Sequence, residues 1–241
     1  MRRLTWLAAT LAEIRPETPT ARTLVFDVPG WPGHLAGQHV DVRLTAEDGY
    51  RAQRSYSIAA PVDGDRVELT VEEVPDGEVS PYLVEVIEPG DRVELRGPVG
   101  GWFVWRPENP APVLLVAGGS GIVPLMAMVR ERRRTAGRTP FRLLYSLRDP
   151  GRRYYADELR RPDPGLDVTY LYTRSAPENW PRKAGRIVLD DLAVGGWPPD
   201  FEPEVYVCGP TGFVEAAADL LLALGHAPHR IRTERFGPSG G

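Results

Sequence analysis

The chain has 241 residues, enough for one large domain or two of ordinary size. Its composition, 42% hydrophobic and 26% charged, is globular, and a net charge of -4 leaves no basic footprint for nucleic acid. Cys208 is the only cysteine, which excludes a disulfide framework and any iron–sulfur cluster held by four cysteines of this chain.

Lys183 is the one lysine among 29 cations, so an arginine by itself marks no site here. Arg2-Arg3 and the apolar stretch 4–12 faintly resemble a leader, but the stretch is short and 4–14 reads equally as a first strand. No apolar run reaches the length of a membrane span. A soluble, cytoplasmic, monomeric protein with no nucleic-acid partner is the expectation.

Residues 1–106 read as a first domain of short strands at 6–14, 23–28, 38–44, 51–59, 66–74 and 91–96. Pro29-Gly30, Glu47-Asp48-Gly49, Asp63-Gly64, Pro75-Asp76-Gly77 and Pro89-Gly90 separate them. This predicts an N-terminal antiparallel six-stranded β-barrel with one capping helix. Ser80 is a good N-cap for that helix, Pro81 suits its first position, and 82–87 follow. Preceded by Gly77, such a start offers free N–H groups to a phosphate; the alternative is that Ser80 simply caps the helix.

Within the barrel, Arg54-Ser55-Tyr56-Ser57 has residue types suited to a flavin. A guanidinium grips phosphate through two donors, and a tyrosine ring lies flat against a heterocycle. A serine hydroxyl donates to or accepts from a ring nitrogen. Arg54 and Tyr56 share one strand face and Ser57 points to the other. Arg54 and the Ser80 turn together could hold a pyrophosphate, which favours FAD over FMN.

Residues 107–241 change to strand–helix alternation, the pattern of a C-terminal α/β parallel five-stranded sheet flanked by helices. Strands are expected at 113–117, 141–147, 167–173, 205–208 and 230–236. Helices are expected from 122 to about 134 and near 155–160, 187–192 and 211–224. Gly118-Gly119-Ser120-Gly121-Ile122-Val123-Pro124 follows the first strand as a dinucleotide cradle by position, with Pro124 where the strict fingerprint has its last glycine. Cys208-Gly209-Pro210-Thr211-Gly212 ends another strand on the same carboxyl edge. Cys208 has no neighbouring histidine to activate it, and His34, His39, His226 and His229 lack metal-site spacing.

Five motifs in order carry a family resemblance: Arg54 to Ser57, Pro75 to Pro81, Ala117 to Pro124, Tyr206-Val207-Cys208-Gly209-Pro210 and Glu234-Arg235-Phe236. The chain resembles the ferredoxin–NADP⁺ reductase family over almost its whole length. The resemblance implies a flavin-binding barrel followed by a nicotinamide-binding sheet, with FAD as cofactor and NADP(H) as substrate. It implies that Arg54 and Ser55 hold FAD, that Tyr56 stacks on the ring system, and that Ser57 bonds near its N5. Thr70, Val71, Glu72 and Glu73 would line the cofactor; Gly77, Glu78, Val79 and Ser80 would bind its phosphates; Ser120 and Phe236 would reach the flavin. Gly118, Gly119, Gly121, Pro124, Gly209 and Pro210 would cradle NADP, with Cys208 against nicotinamide C4 and Glu234 as the carboxylate nearby. Ser57, Cys208 and Glu234 are thus the expected catalytic set. The family's plant-type members end at a tyrosine, whereas here Gly237 to Gly241 follow Phe236.

The expected reaction takes hydride from NADPH to flavin N5 and passes single electrons to a separate carrier: ferredoxin, flavodoxin or an oxygenase component. A reductase of small acceptors and a flavin-binding electron-transfer or regulatory subunit are the alternatives. Three arginines fall where resembling enzymes bind the 2′-phosphate: Arg148 near Ser146, Arg174 beside Thr173, and Arg186. Asp149 is the counter-signal, since NADH sites place a carboxylate on the ribose.

Overall fold

A computed structural model describes residues 4–136 and 138–236, so Arg2-Arg3 and the tail after Phe236 lie outside the described residues. The chain forms two compact units, Met1–Arg106 with Met126–Glu131, and Pro107–Leu125 with Arg132–Gly241.

The first unit is the six-stranded antiparallel sheet: β1 (Trp6–Thr18), β2 (Ala21–Asp27), β3 (His39–Thr45), β4 (Arg51–Ser57), β5 (Arg66–Glu72) and β6 (Arg92–Val99). Spatial order is β4-β3-β6-β1-β2-β5. The two edges meet at an Ile58–Leu69 bridge and an Ala59 N–H donated to the Glu68 carbonyl (2.8 Å), which closes the barrel. Alternation drives this closure: Val40 and Val42 of β3 and Val67, Leu69 and Val71 of β5 are fully buried in one core. Strand β1 continues past the predicted end at 14, with Pro16 still in register opposite Arg22 and a shift at Glu17 before Thr18 pairs with Ala21.

The predicted capping helix is present as a π-helix, Tyr82–Val86, but the Ser80 side chain does not cap it. The Ser80 hydroxyl instead accepts from the Val74 N–H (3.0 Å), while the Gly77 N–H bonds to the Val74 carbonyl (2.9 Å). The local reason is that the Val74 N–H lies beyond the β5 ladder and needs an acceptor.

The second unit is a parallel sheet of β7 (Val113–Gly118), β8 (Phe141–Leu147), β9 (Leu166–Tyr172), β10 (Glu204–Pro210) and β11 (Ile231–Phe236). Four helices accompany it: α1 (Ile122–Arg134), α2 (Ala156–Arg160), α3 (Leu189–Gly195) and α4 (Thr211–Ala223). Strand order β11-β10-β7-β8-β9 means that the chain winds outward from β7, then returns to its other side. The order reverses between β7 and β10, where sheets of this kind open a ligand crevice at their carboxyl edge. Every residue of β7 is buried, as its unbroken apolar run requires. Helix α3 starts two residues later than predicted because Ile187 is drawn into the core before the helix begins. No helix among the described residues is long and apolar enough to cross a membrane.

At the reversal, β7 and β10 end against each other. A Cβ on Gly121 would stand 2.1 Å from the Cys208 carbonyl oxygen, which is backbone and cannot swing away. Gly121→Ala should therefore cost about 1–3 kcal/mol by forcing the two loops apart. Urea unfolding should show a lowered midpoint with an unchanged slope, and a wild-type midpoint would disprove the close approach.

Candidate active site

On β4, Ala52, Arg54 and Tyr56 share one face and stand opposite Leu44, Val42 and Val40 of β3. Ala52 and Tyr56 pack on the core, whereas the Arg54 side chain is 57% exposed. Arg54 Nη1 donates to the Gln53 carbonyl (2.7 Å) and Nη2 to the Glu78 carboxylate (3.3 Å). Glu78 also accepts from the Tyr50 hydroxyl. With both partners of the Arg54–Glu78 pair near half-exposed, it contributes at most about 1 kcal/mol.

Ser55 lies on the opposite face, where its hydroxyl donates to Asp41 (2.7 Å). Burial alone would raise the Asp41 carboxyl, but the Ser55 bond and the Arg96 guanidinium outweigh it and hold the group below its usual range. Ser57 is buried, and its hydroxyl oxygen has no hydrogen-bond partner. An orphaned buried hydroxyl at the end of this strand fits a missing polar partner, as a flavin ring nitrogen would be. Burial likewise pushes the Tyr56 phenol far up, so its ring is a neutral platform at any working pH.

The β5 group divides. Val71 is wholly in the core, and the Thr70 hydroxyl bonds to that of Thr23 (2.7 Å), so both side chains are engaged inside the unit. Glu72 and Glu73 follow at the strand end, and the Glu73 N–H reaches back to the Thr20 carbonyl (2.8 Å). Val79 is a core residue, leaving backbone and the Glu78 carboxylate as what the 77–80 turn presents. Glu78 thus joins Arg54 to Tyr50, a residue that the sequence analysis did not single out.

In the second unit, Gly118 closes β7, Gly119–Gly121 make one 3₁₀ turn, and α1 starts at Ile122 with Pro124 in its first turn. A proline there breaks no helical bond. Gly119 has φ of +55°, and a Cβ on it would meet nothing within 4 Å, so it borders open space. Gly118 and Gly209 have a different reason: a Cβ on either would come within 3 Å of the Phe213 ring. Phe213, the third residue of α4, escaped the sequence reading although it is what both glycines make room for.

Strand register sets Cys208 beside Ala117 of β7 and Glu234 of β11, with Pro210 beside Phe236. Cys208 is fully buried, and burial, then the Glu234 charge, push its thiol well above the usual range. It is no thiolate nucleophile. Burial also pushes the Glu234 carboxyl up to about 7.

The three arginines expected at the 2′-phosphate lie in the segments that follow β8 and β9. The Arg174 N–H donates to the Arg148 carbonyl (3.0 Å), and the Gly185 N–H, next to Arg186, donates to the Tyr172 carbonyl (2.9 Å). All three side chains are exposed, and none pairs with a carboxylate among the described residues. Thr173 bonds to the Leu147 carbonyl through its hydroxyl (3.3 Å), and Ser146 is buried within β8. Asp149 uses its carboxylate to cap the following turn at the Gly151 N–H (2.9 Å).

Residues 9–104 match the oxidoreductase FAD-binding domain family and residues 115–219 the oxidoreductase NAD-binding domain family. The chain is 33% identical to ferredoxin–NADP reductase B of Sorangium cellulosum over 95% of its own length and 96% of that protein's. It is 29% identical to the ferredoxin–NAD(P)⁺ reductase component of the Pseudomonas putida naphthalene 1,2-dioxygenase system, over 85% of its own length and 61% of that protein's. It spans about half to three-fifths of the length of that component and of flavohemoproteins it also matches. Among solved structures it resembles the flavohem-like FAD/NAD-binding domain of the Vibrio cholerae nitric oxide dioxygenase (TM-score 0.85, 25% identity, 96% of this chain and 99% of that one). FAD is the cofactor and NAD(P)(H) the substrate of such a pair of domains. With an end-to-end relative added to both domain matches, the chain belongs to the ferredoxin–NADP⁺ reductase family of flavin-dependent oxidoreductases.

Proposed function

We propose that this protein is an NADPH-dependent, FAD-containing reductase that passes electrons one at a time to a separate protein carrier, a ferredoxin, a flavodoxin or an oxygenase component. The reading rests on one observation above the others: Cys208 and Glu234 stand side by side at the carboxyl ends of β10 and β11, next to the Gly118–Gly121 cradle. FAD, when bound, accepts hydride at N5 from nicotinamide C4 and gives up electrons singly. The end-to-end likeness to a ferredoxin–NADP reductase supports a separate carrier, as does the P. putida reductase component's place in a dioxygenase system. Turnover of the purified protein with ferredoxin and with ferricyanide or quinones tests the acceptor; a rate confined to the small acceptors would overturn the carrier.

The residues then take these parts. Arg54 supplies a fork of donors to the diphosphate, with the Gly77–Ser80 backbone beside it. Tyr56 offers its neutral ring for stacking, and Ser57 satisfies its orphaned hydroxyl on the flavin ring. Cys208, uncharged and buried, keeps water from the nicotinamide face. Glu234 holds or releases a proton at its carboxylate near neutral pH. Arg148, Arg174 and Arg186 bind the 2′-phosphate.

Protein purified under native conditions should be yellow and release FAD on denaturation, and chromatography finding only FMN would sink the cofactor assignment. Arg54→Ala removes a charge-assisted contact and should weaken FAD by roughly tenfold or more, read by flavin fluorescence on dilution.

Cys208→Ala should slow flavin reduction by NADPH about tenfold while leaving the flavin spectrum nearly unchanged, because it loosens reactant alignment. Stopped-flow reduction at the wild-type rate would make Cys208 simply core. Glu234 has a folded pKa of about 7, above its unfolded value near 4.3. Its stabilising contribution is therefore complete below the unfolded value and is lost as pH rises through about 7. Glu234→Gln carries no such loss, so its melting temperature should gain on the wild type between pH 5 and about 8. A constant difference across that range would refute the buried carboxyl.

Three unpaired guanidiniums outweigh Asp149, whose carboxylate is engaged at Gly151. kcat/KM should favour NADPH, and Arg174→Ala should raise KM for NADPH about tenfold while hardly touching NADH. A wild-type preference for NADH would reverse the coenzyme assignment and leave the flavin-reductase reading standing.

A further inference from the structure

Resting on the proposed NADPH preference, we infer that Arg182 and Asp191 are positioning residues for coenzyme selection, holding the loop that carries Arg186 in the shape the 2′-phosphate needs. Neither touches the coenzyme edge by itself; both act through Arg186.

The loop between β9 and α3 has no ladder of its own. Arg182 stands in for one. Its Nε and Nη2 donate to the two oxygens of the Asp191 carboxylate, the latter at 2.7 Å. Nη2 also reaches the Arg186 carbonyl (2.8 Å), and Nη1 the carbonyls of Lys183 (3.0 Å) and Gly185 (3.4 Å). One guanidinium thus binds three carbonyls within four consecutive residues, together with a carboxylate in the first turn of α3. Asp191 also accepts from the Val188 N–H (2.9 Å), which fixes where the loop ends and the helix starts.

The pair is sheltered: the Arg182 side chain is 23% exposed and that of Asp191 8%. This sets it apart from the many solvated arginines of the chain, because a sheltered pair with well-directed bonds holds its geometry. The other end of the loop is tied by the Gly185 N–H to the Tyr172 carbonyl at the end of β9. Arg186 is therefore pinned on both sides of its own peptide unit, while its side chain stays exposed. The same strand end leads into Arg174, whose N–H bonds to the Arg148 carbonyl.

Chemistry explains the residue types. Lysine is a point charge with three donors and cannot span a carboxylate and three carbonyls at once. Asparagine at 191 would keep one acceptor but lose the paired oxygens that Nε and Nη2 use together. Both changes leave the charge of Arg186 in place and release its position. An ordered cation binds a phosphate more tightly than a mobile one because the ordering cost is already met.

The experiment is steady-state kinetics of the FAD-loaded enzyme with NADPH and NADH, using ferricyanide as acceptor. Arg182→Lys and Arg182→Ala should each raise KM for NADPH about five- to tenfold, with kcat and the KM for NADH within about twofold of wild type. Arg186→Ala should be equally selective, and Arg182→Ala/Arg186→Ala should add nothing further, since the first residue works through the second. Should Arg182→Ala fail to fold, judged by flavin content and circular dichroism, Asp191→Asn tests the same staple. KM values rising alike for both coenzymes would mean a general scaffold and overturn the inference. So would an unchanged NADPH KM in Arg182→Lys and Asp191→Asn while Arg186→Ala remains selective. A wild type that prefers NADH, with Arg174→Ala and Arg186→Ala both silent, would instead remove the coenzyme reading beneath it.

Discussion

The nicotinamide half of the molecule depends on a distance between two backbones. Where Gly121 meets the Cys208 carbonyl, there is no room for a methyl group. That approach lets the first turn of α1 sit directly over the end of β10, at the one place where the sheet's winding reverses. Register does the rest: once β10 is fixed against β7, Cys208 and Glu234 are set side by side by the β10–β11 ladder. The chemistry of the edge follows from packing at its centre.

Electrostatics divides between spent and unspent arginines. Arg96 is used on Asp41, Arg182 on Asp191, and Arg43 on Glu94 (2.6 Å). These hold strands and loops in place. Arg148, Arg174 and Arg186 stand outside such pairs at one sheet edge, so their positive charge is available to a ligand. In a chain with a single lysine, this distinction between paired and unpaired guanidiniums, and not composition, supports the proposed coenzyme site.

How much was legible in the sequence follows from how local each signal is. Strand and helix periodicity is local, so the six-stranded barrel and the five-stranded parallel sheet were readable, as were the strand that carries Arg54 to Ser57 and the glycine turn after β7. The role of Ser80 was misread because an N-cap is inferred from neighbours in sequence, whereas the Val74 N–H that takes its hydroxyl belongs to the turn closing behind it. Phe213 was invisible for a related reason: two glycines 91 residues apart yield to one ring, and only the sheet brings them together. Arg182 looked like any surface arginine in Pro181-Arg182-Lys183 until its partners, mostly carbonyl oxygens, were in view. Carbonyls are the same in every residue and leave no trace in a sequence.

The pairing of Arg54 with Glu78 bears on how this barrel acquires its cofactor. With Arg54 in its proposed place on the diphosphate, loading exchanges one anionic partner, Glu78, for another, and the net affinity is the difference between the two. Because the internal carboxylate is a weak, solvated partner and a diphosphate a strong one, the exchange runs toward the bound form. Added salt screens both the pair that is lost and the pair that is gained, so the electrostatic part of retention is buffered against ionic strength.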